Sequence, residues 1–103
     1  MPDRNVITHA QMVEQGFLNA YDAIAALRSN WLITKGVDSF NSPGRVLVYL
    51  DNSRLGGIEE LRSLATPSIT YIRYYDGTSA TARWGLDHSH GVIFVSTHPG
   101  GGT

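Results

Sequence analysis

Three features of the sequence predict an α+β fold: a small mixed β-sheet, two N-terminal helices packed on it, and short helices between its later strands. The first is Val46–Leu50, five apolar residues in a row. Val46, Val48 and Leu50 point to one side of such a strand and Leu47 and Tyr49 to the other, so it is expected to be covered on both faces. The second is the stripe Ala20, Ala23, Ile24 and Leu27, which falls at helical spacing. The third is that strands and helices alternate after residue 45, but with short connections between the strands.

Taken in order, Thr8 and Gln11 have the spacing of a capping box. They predict a short helix over Thr8 to Gln15, ended by Gly16, with Ala10, Val13 and Phe17 as its apolar residues. Asn19 caps a second helix, Ala20 to Ser29, rich in alanine and ended by Asn30. Trp31–Lys35 is a short strand candidate, and Gly36–Gly44 is a loop. The strand through Val46–Leu50 stops at Asp51–Asn52–Ser53, whose short polar side chains favour a turn. Arg54–Leu55 is placed as the stub of a hairpin. Ile58–Leu64 has room for one or two helical turns before Pro67, with Ile58 and Leu61 facing the core.

Ser68–Tyr75 is rich in β-branched and aromatic residues and reads as a strand. Thr78–Trp84 is a small helix with Gly85 at its end in a positive-φ position. Leu86–Gly91 is a loop, and Gly91–Thr97 is the last strand, apolar on both faces. Val46, Val48, Leu50, Ile72, Val92 and Phe94 are expected to share one core, with Ile24 and Leu27 upon it. The whole forms one domain over residues 1–103, its ordered core running from about 8 to 97 and a flexible tail over 98–103.

Size and composition exclude several functions. A chain of 103 residues buries roughly 65% of its unfolded surface, enough for a modest core. With eight basic and nine acidic residues and no run of like charge, it has no footprint for nucleic acid. Cysteine is absent, which removes disulfides, thiolate metal sites and a cysteine nucleophile. No apolar run approaches the ~20 residues of a spanning helix. Met1–Asn5 lacks the apolar core of a signal peptide, so a cytoplasmic protein or a targeting segment lying elsewhere is expected.

The ordered segments resemble the plug domain of TonB-dependent outer-membrane receptors. Asp22–Leu27 looks like the helix before the first plug strand, and Val48–Asn52 like the strand ending in an Asp-Gly turn, with Asn52 where glycine is usual. Leu61–Ile72 is similar to the segment leading through a proline turn to the next strand. Ala80–Gly85 resembles the small helix ending in an aromatic-Gly pair, and Gly91–Thr97 the closing strand. The resemblance covers about Thr8 to Thr97. It implies a plug-like fold and a periplasmic or outer-membrane-associated setting. With neither a barrel after Thr103 nor a long TonB-contacting segment before the domain expected, the reading is a stand-alone plug-like module, not transport by this chain.

The residues themselves offer few sites. Asp87-His88-Ser89-His90 is the one cluster that suggests a metal, with Asp87 or His98 as a further ligand. His88 and His90 are therefore candidate ligands, although a polar loop beside a sheet explains them as well. His9 is read as a solvated residue. Asp51 and Asp76 sit where turns want an acceptor, and Glu59, Glu60 and Asp87 complete the candidate carboxylates. Ser63, Ser79 and Ser89 lack a nucleophile motif. Gly56–Gly57 before a short helix suggests an anion cradle, but the phosphate-loop pattern is absent. Tyr71, Tyr74, Tyr75 and Trp84 suit either a core or a stacking surface. Arg45, Arg54, Arg62, Arg73 and Arg83 stand against the single Lys35, a bias seen at interfaces. The expectation is a non-enzymatic, cofactor-free interaction module of the cell envelope, its partner another protein or a second copy, with the last strand as a possible docking edge. The alternative is a small-ligand or metal-binding domain using the His88–His90 loop.

Overall fold

The computed structural model describes residues 4–32, 46–85 and 88–98. Its fold is α+β, with a mixed five-stranded sheet. The elements are β1 (Val6–Thr8), α1 (His9–Glu14), α2 (Ala20–Leu27), β2 (Leu47–Leu50), β3 (Ser53–Gly56), β4 (Tyr71–Tyr75), α3 (Gly77–Trp84) and β5 (Val92–Ser96). Short 3₁₀ turns cover Ser29–Leu32, Ile58–Ser63 and Thr66–Ser68. The strand order is β1-β4-β5-β2-β3, antiparallel throughout except for the parallel β2–β5 pair.

The helix starts follow from their caps. The Thr8 hydroxyl accepts from the Gln11 amide at 3.2 Å while the Gln11 side chain accepts from the Thr8 amide at 2.8 Å, a complete capping box. Asn19 accepts from the Asp22 amide at 2.9 Å, and Asp76 from the Ser79 amide at 2.8 Å. Gly85 ends α3 with φ 114°, the positive value expected of it. The hairpin β2–β3 turns at Asp51–Asn52, where Asp51 itself takes φ 53°.

Several expectations need correction. β1 was not foreseen; three residues are too few to show a period, and β1 forms because it pairs with β4. It also starts the ordered region before residue 8. The buried residue of α1 is Met12, whereas Ala10 and Val13 face solvent; Phe17 lies beyond the helix end and packs half-buried against the first core. α2 stops at Leu27, two residues short of Ser29. Trp31 and Leu32 lie in a 3₁₀ turn and not in a strand; the turn follows directly on α2, its Trp31 amide donating to the Arg28 carbonyl, and drives Trp31 into the core. The remainder of that strand candidate, Ile33–Lys35, and the loop Gly36–Gly44 lie outside the described residues, as does Arg45. β4 begins at Tyr71, since Ser68 is still within the turn that carries Pro67. His98 is not loose tail: its carbonyl accepts from the Thr70 hydroxyl at 2.8 Å. Residues 99–103 lie outside the described residues.

The single core splits into two, one on each face of the sheet. On the first face, Ile7, Val48, Ile72, Ile93 and Val95 pack under Met12, Ala20, Ala23, Ile24, Trp31 and Leu61, with Leu27 and Leu50 at the margin. On the second, Leu47, Tyr49 and Val92 pack against Ala80 of α3, with Tyr75, Trp84 and Phe94 around them. Val92 and Phe94 therefore oppose Val46, Val48, Leu50 and Ile72. The cause is register: Leu47 pairs with Val92 and Tyr49 with Phe94, and paired residues share a face. The last strand is also not an edge. β5 lies between β4 and β2, in the middle of the sheet, and the edges are β1 and β3.

Candidate functional site

Beneath α3 the second face holds a polar cluster. Tyr49 comes from β2, Arg54 from β3, Trp84 from the last turn of α3, and His88 from the turn that follows. Gly85 redirects the chain, and the His88 amide donates back to the Gly85 carbonyl at 3.2 Å. The His88 ring is thereby buried, 2% exposed. Its Nε2 lies 2.7 Å from the Tyr49 hydroxyl and 3.2 Å from an Arg54 nitrogen, and its Nδ1 lies 3.3 Å from the Gly85 carbonyl oxygen. One tautomer satisfies these contacts: Nδ1–H donates to Gly85, and Nε2 accepts from Tyr49. Trp84 stacks on Tyr49 with centroids 5.0 Å apart and on His88 at 5.9 Å.

This geometry bears on the metal candidates. An ion on His88 Nε2 would displace the Tyr49 hydroxyl and sit beside a guanidinium, a repulsive neighbour. His90 lies half-buried with Nδ1 3.4 Å from the Ser89 hydroxyl, and Asp87 lies outside the described residues. Among the described residues, no group of three or more His, Cys, Asp or Glu side chains converges as a metal site does. Zinc is accordingly expected to leave the melting temperature unchanged. A rise that disappears in a His88→Ala, His90→Ala double variant would assign the loop to metal.

The remaining candidates have structural work. Asp51 does not serve its own turn; it reaches across the end of the sheet, accepting from the Thr97 amide at 3.0 Å and the Thr97 hydroxyl at 2.7 Å. His98 Nε2 lies 3.5 Å from the same carboxylate. His9 is not merely solvated: its Nδ1 bonds the Ile69 carbonyl at 2.8 Å, tying α1 to the start of β4. At Gly57 an added Cβ would meet both Glu59 carboxylate oxygens at 2.8 Å, so the chain's own acid occupies the suggested anion cradle. The Ser63 hydroxyl donates to the Glu60 carbonyl within its own turn.

Asp51 gives a pH prediction. Burial alone would raise its carboxyl, but the Thr97 hydroxyl, the Thr97 amide and the nearby His98 together outweigh it and hold Asp51 below the ordinary 3.8. A depressed carboxyl stabilises the fold above its unfolded-state value and loses that contribution as pH falls through the lower folded one. Asp51→Asn is therefore expected to melt lower than wild type above pH 3.8, with the gap closing below it. A gap that stays constant across that window in a pH series of thermal melts would show that the Asp51 charge is not its source.

The four aromatic candidates divide by strand alternation. Tyr74 turns to the first face and stacks on Trp31 at 5.5 Å. Tyr71, Tyr75 and Trp84 belong to the second face, where Phe94 joins them: Tyr75 meets Trp84 edge-on at 5.0 Å and Phe94 at 6.5 Å, and Tyr71 lies 6.3 Å from Phe94. These four rings are half-buried, and the exposed Arg83 lies over three of them. Phe94 was absent from the sequence-based cluster because its side depends on the β2–β5 register. α3 covers the sheet over Leu47, Tyr49 and Val92 with Phe94 packed beside them, and Tyr71, on the strand next to β1, lies beyond Phe94. Among the described residues, no helix is long and apolar enough to cross a membrane. Comparison with protein-family models, with curated proteins and with solved structures gives no match to this chain.

Proposed function

We propose that this chain is a non-catalytic, plug-like interaction module of the bacterial cell envelope, binding a protein partner through the second face of its sheet. The observation that carries the binding reading is the surface formed by Tyr71, Tyr75, Trp84 and Phe94 with Arg83 above it. Trp, Tyr and Arg are the residue types that dominate binding energy at interfaces, and rigid rings lose little entropy on contact. The envelope setting and the plug-like character rest on the ordered resemblance of Asp22–Leu27, Val48–Asn52, Leu61–Ile72, Ala80–Gly85 and Gly91–Thr97 to receptor plugs. The non-catalytic reading is supported by the engagement of the best titratable candidates: His88 with Tyr49 and Gly85, Asp51 with Thr97.

A pull-down from bacterial envelope extract tests this, with the wild-type domain and a Tyr71→Lys variant as baits. Tyr71 is half-buried at the margin of the ring cluster, so the variant should keep its fold, which a thermal melt checks. The expected result is an envelope protein retained by wild type and lost by the variant. An identical set of captured proteins for both baits, or none for either, would overturn the reading.

A further inference from the structure

We infer that Arg83 is the anchor of this surface and that it receives a carboxylate from an acidic segment of the partner protein; this inference rests on the binding reading above. The Arg83 guanidinium lies 4.9 Å from the Trp84 ring centroid, 5.4 Å from Tyr75 and 5.9 Å from Phe94. Its single hydrogen bond among the described residues is a long one, Nη1 donating to the Tyr75 hydroxyl at 3.4 Å. A guanidinium carries five N–H donors in a planar fork. When its flat face rests on aromatic rings, its donor edge remains directed outward, and stacking is compatible with bidentate carboxylate binding.

Other arginines show the contrast. Arg28 donates to the Arg4, Leu27 and Val6 carbonyls and ties α2 to β1. Arg62 stacks on the single ring of Tyr21 at 3.9 Å, on the first face of the sheet and away from α3. Arg83 has ring partners and a hydroxyl but no carboxylate among the described residues. Its position costs the side chain rotamer freedom before any partner arrives, so less is lost on binding. An exposed cation already oriented by rings, with no acid beside it among the described residues, is complementary to an acidic segment. Phe94, under the guanidinium, and Tyr71, next to Phe94, would meet apolar residues flanking that acid.

The probe is a fluorescein-labelled hexaglutamate peptide, read by anisotropy against the intact chain at low and high salt, with labelled hexalysine and phosphatidylglycerol vesicles as comparisons. Wild type is expected to bind hexaglutamate, more weakly as salt rises. Arg83→Gln should weaken binding by about 10–100-fold, the loss that accompanies removal of a charge-assisted bidentate pair. Arg83→Lys, which keeps the charge and loses the fork, should fall between the two, and Arg62→Gln should bind as wild type does. Equal melts for all variants establish that the fold is intact. Binding that is the same in Arg83→Gln and wild type, binding of hexalysine in preference, or vesicle binding without peptide binding would each overturn the inference. Partner capture that depends on Tyr71 but survives Arg83→Gln would remove the Arg83 anchor and leave the binding reading standing. Arg83-dependent hexaglutamate binding without envelope capture would do the reverse.

Discussion

Trp31→Ala is expected to cost about 3–5 kcal/mol, the largest loss of any single side-chain truncation in the fold. Trp31 is 1% exposed and the largest of the fully buried side chains. It lies flat against Tyr74, with an interplanar angle of 13°, and the Arg28 guanidinium sits 6.0 Å from its ring. Truncation would leave a cavity between the end of α2 and the first face of the sheet, and both surfaces are held by other contacts that resist collapse into it. Against a total stability of roughly 5–15 kcal/mol, such a loss leaves a substantial unfolded fraction at physiological temperature. Urea titration followed by circular dichroism should show a lower midpoint with an unchanged slope. A loss under about 1 kcal/mol would mean that the pocket around Trp31 is far looser than its burial indicates.

Gly77→Ala should be nearly as damaging, for a different reason. Gly77 opens α3, where alanine is normally the better residue by up to about 1 kcal/mol. Its φ is not positive, so backbone strain is not the issue. The obstacle is Ser89: an alanine Cβ would land on the Ser89 carbonyl oxygen and 3.0 Å from its carbon. Both are backbone atoms and neither can rotate aside. Either α3 lifts from the sheet or the His88–His90 turn moves, and the second motion breaks the Tyr49–His88 contact. The expected net loss is about 3 kcal/mol, the upper end of overpacking costs, which corresponds to roughly 12–24 °C in Tm for a domain of this size. Gly16→Ala is the matched control. It has φ 79° with nothing within 4 Å of the added Cβ, and should cost only about 1–2 kcal/mol. A Gly77→Ala melt no lower than that of Gly16→Ala would contradict the described packing of α3 on Ser89.

The sequence disclosed those parts of the fold whose cause is local. The capping box at Thr8 and the cap at Asn19 were legible because each side chain bonds a backbone amide three residues on, whereas Asp76 read only as a turn residue and caps α3 in the same way. β2 and β5 were legible as apolar runs, and the two-sided burial of β2 followed from alternation. The side to which each strand turns was not legible. Val92 and Phe94 were assigned to the first core because alternation fixes relative sides within a strand, not between strands; the β2–β5 register decides that. Trp31 has the composition of a strand residue, and tertiary burial overrode it. At the site, His88 read as a loop residue beside a metal option. The missed signal lay in Tyr49. A tyrosine in a strand covered on both faces needs a partner for its hydroxyl, and His88 supplies it.

The middle position of β5 has a consequence for how the sheet is assembled. β5 follows the other four strands in sequence, yet it is the one that joins them: β1–β4 on one side and β2–β3 on the other touch through it. Until Val92–Ser96 is in place, two separate ribbons each expose an inner edge of unpaired backbone groups, and neither ribbon is stable alone. Closure must also pay for ordering the long segment between Leu47 and Val92, which pair directly. Such non-local closure is slow, on the order of milliseconds to seconds. Over that interval the gap between β2 and β4 can accept the same strand from a neighbouring molecule, so concentrated refolding favours strand-exchanged dimers.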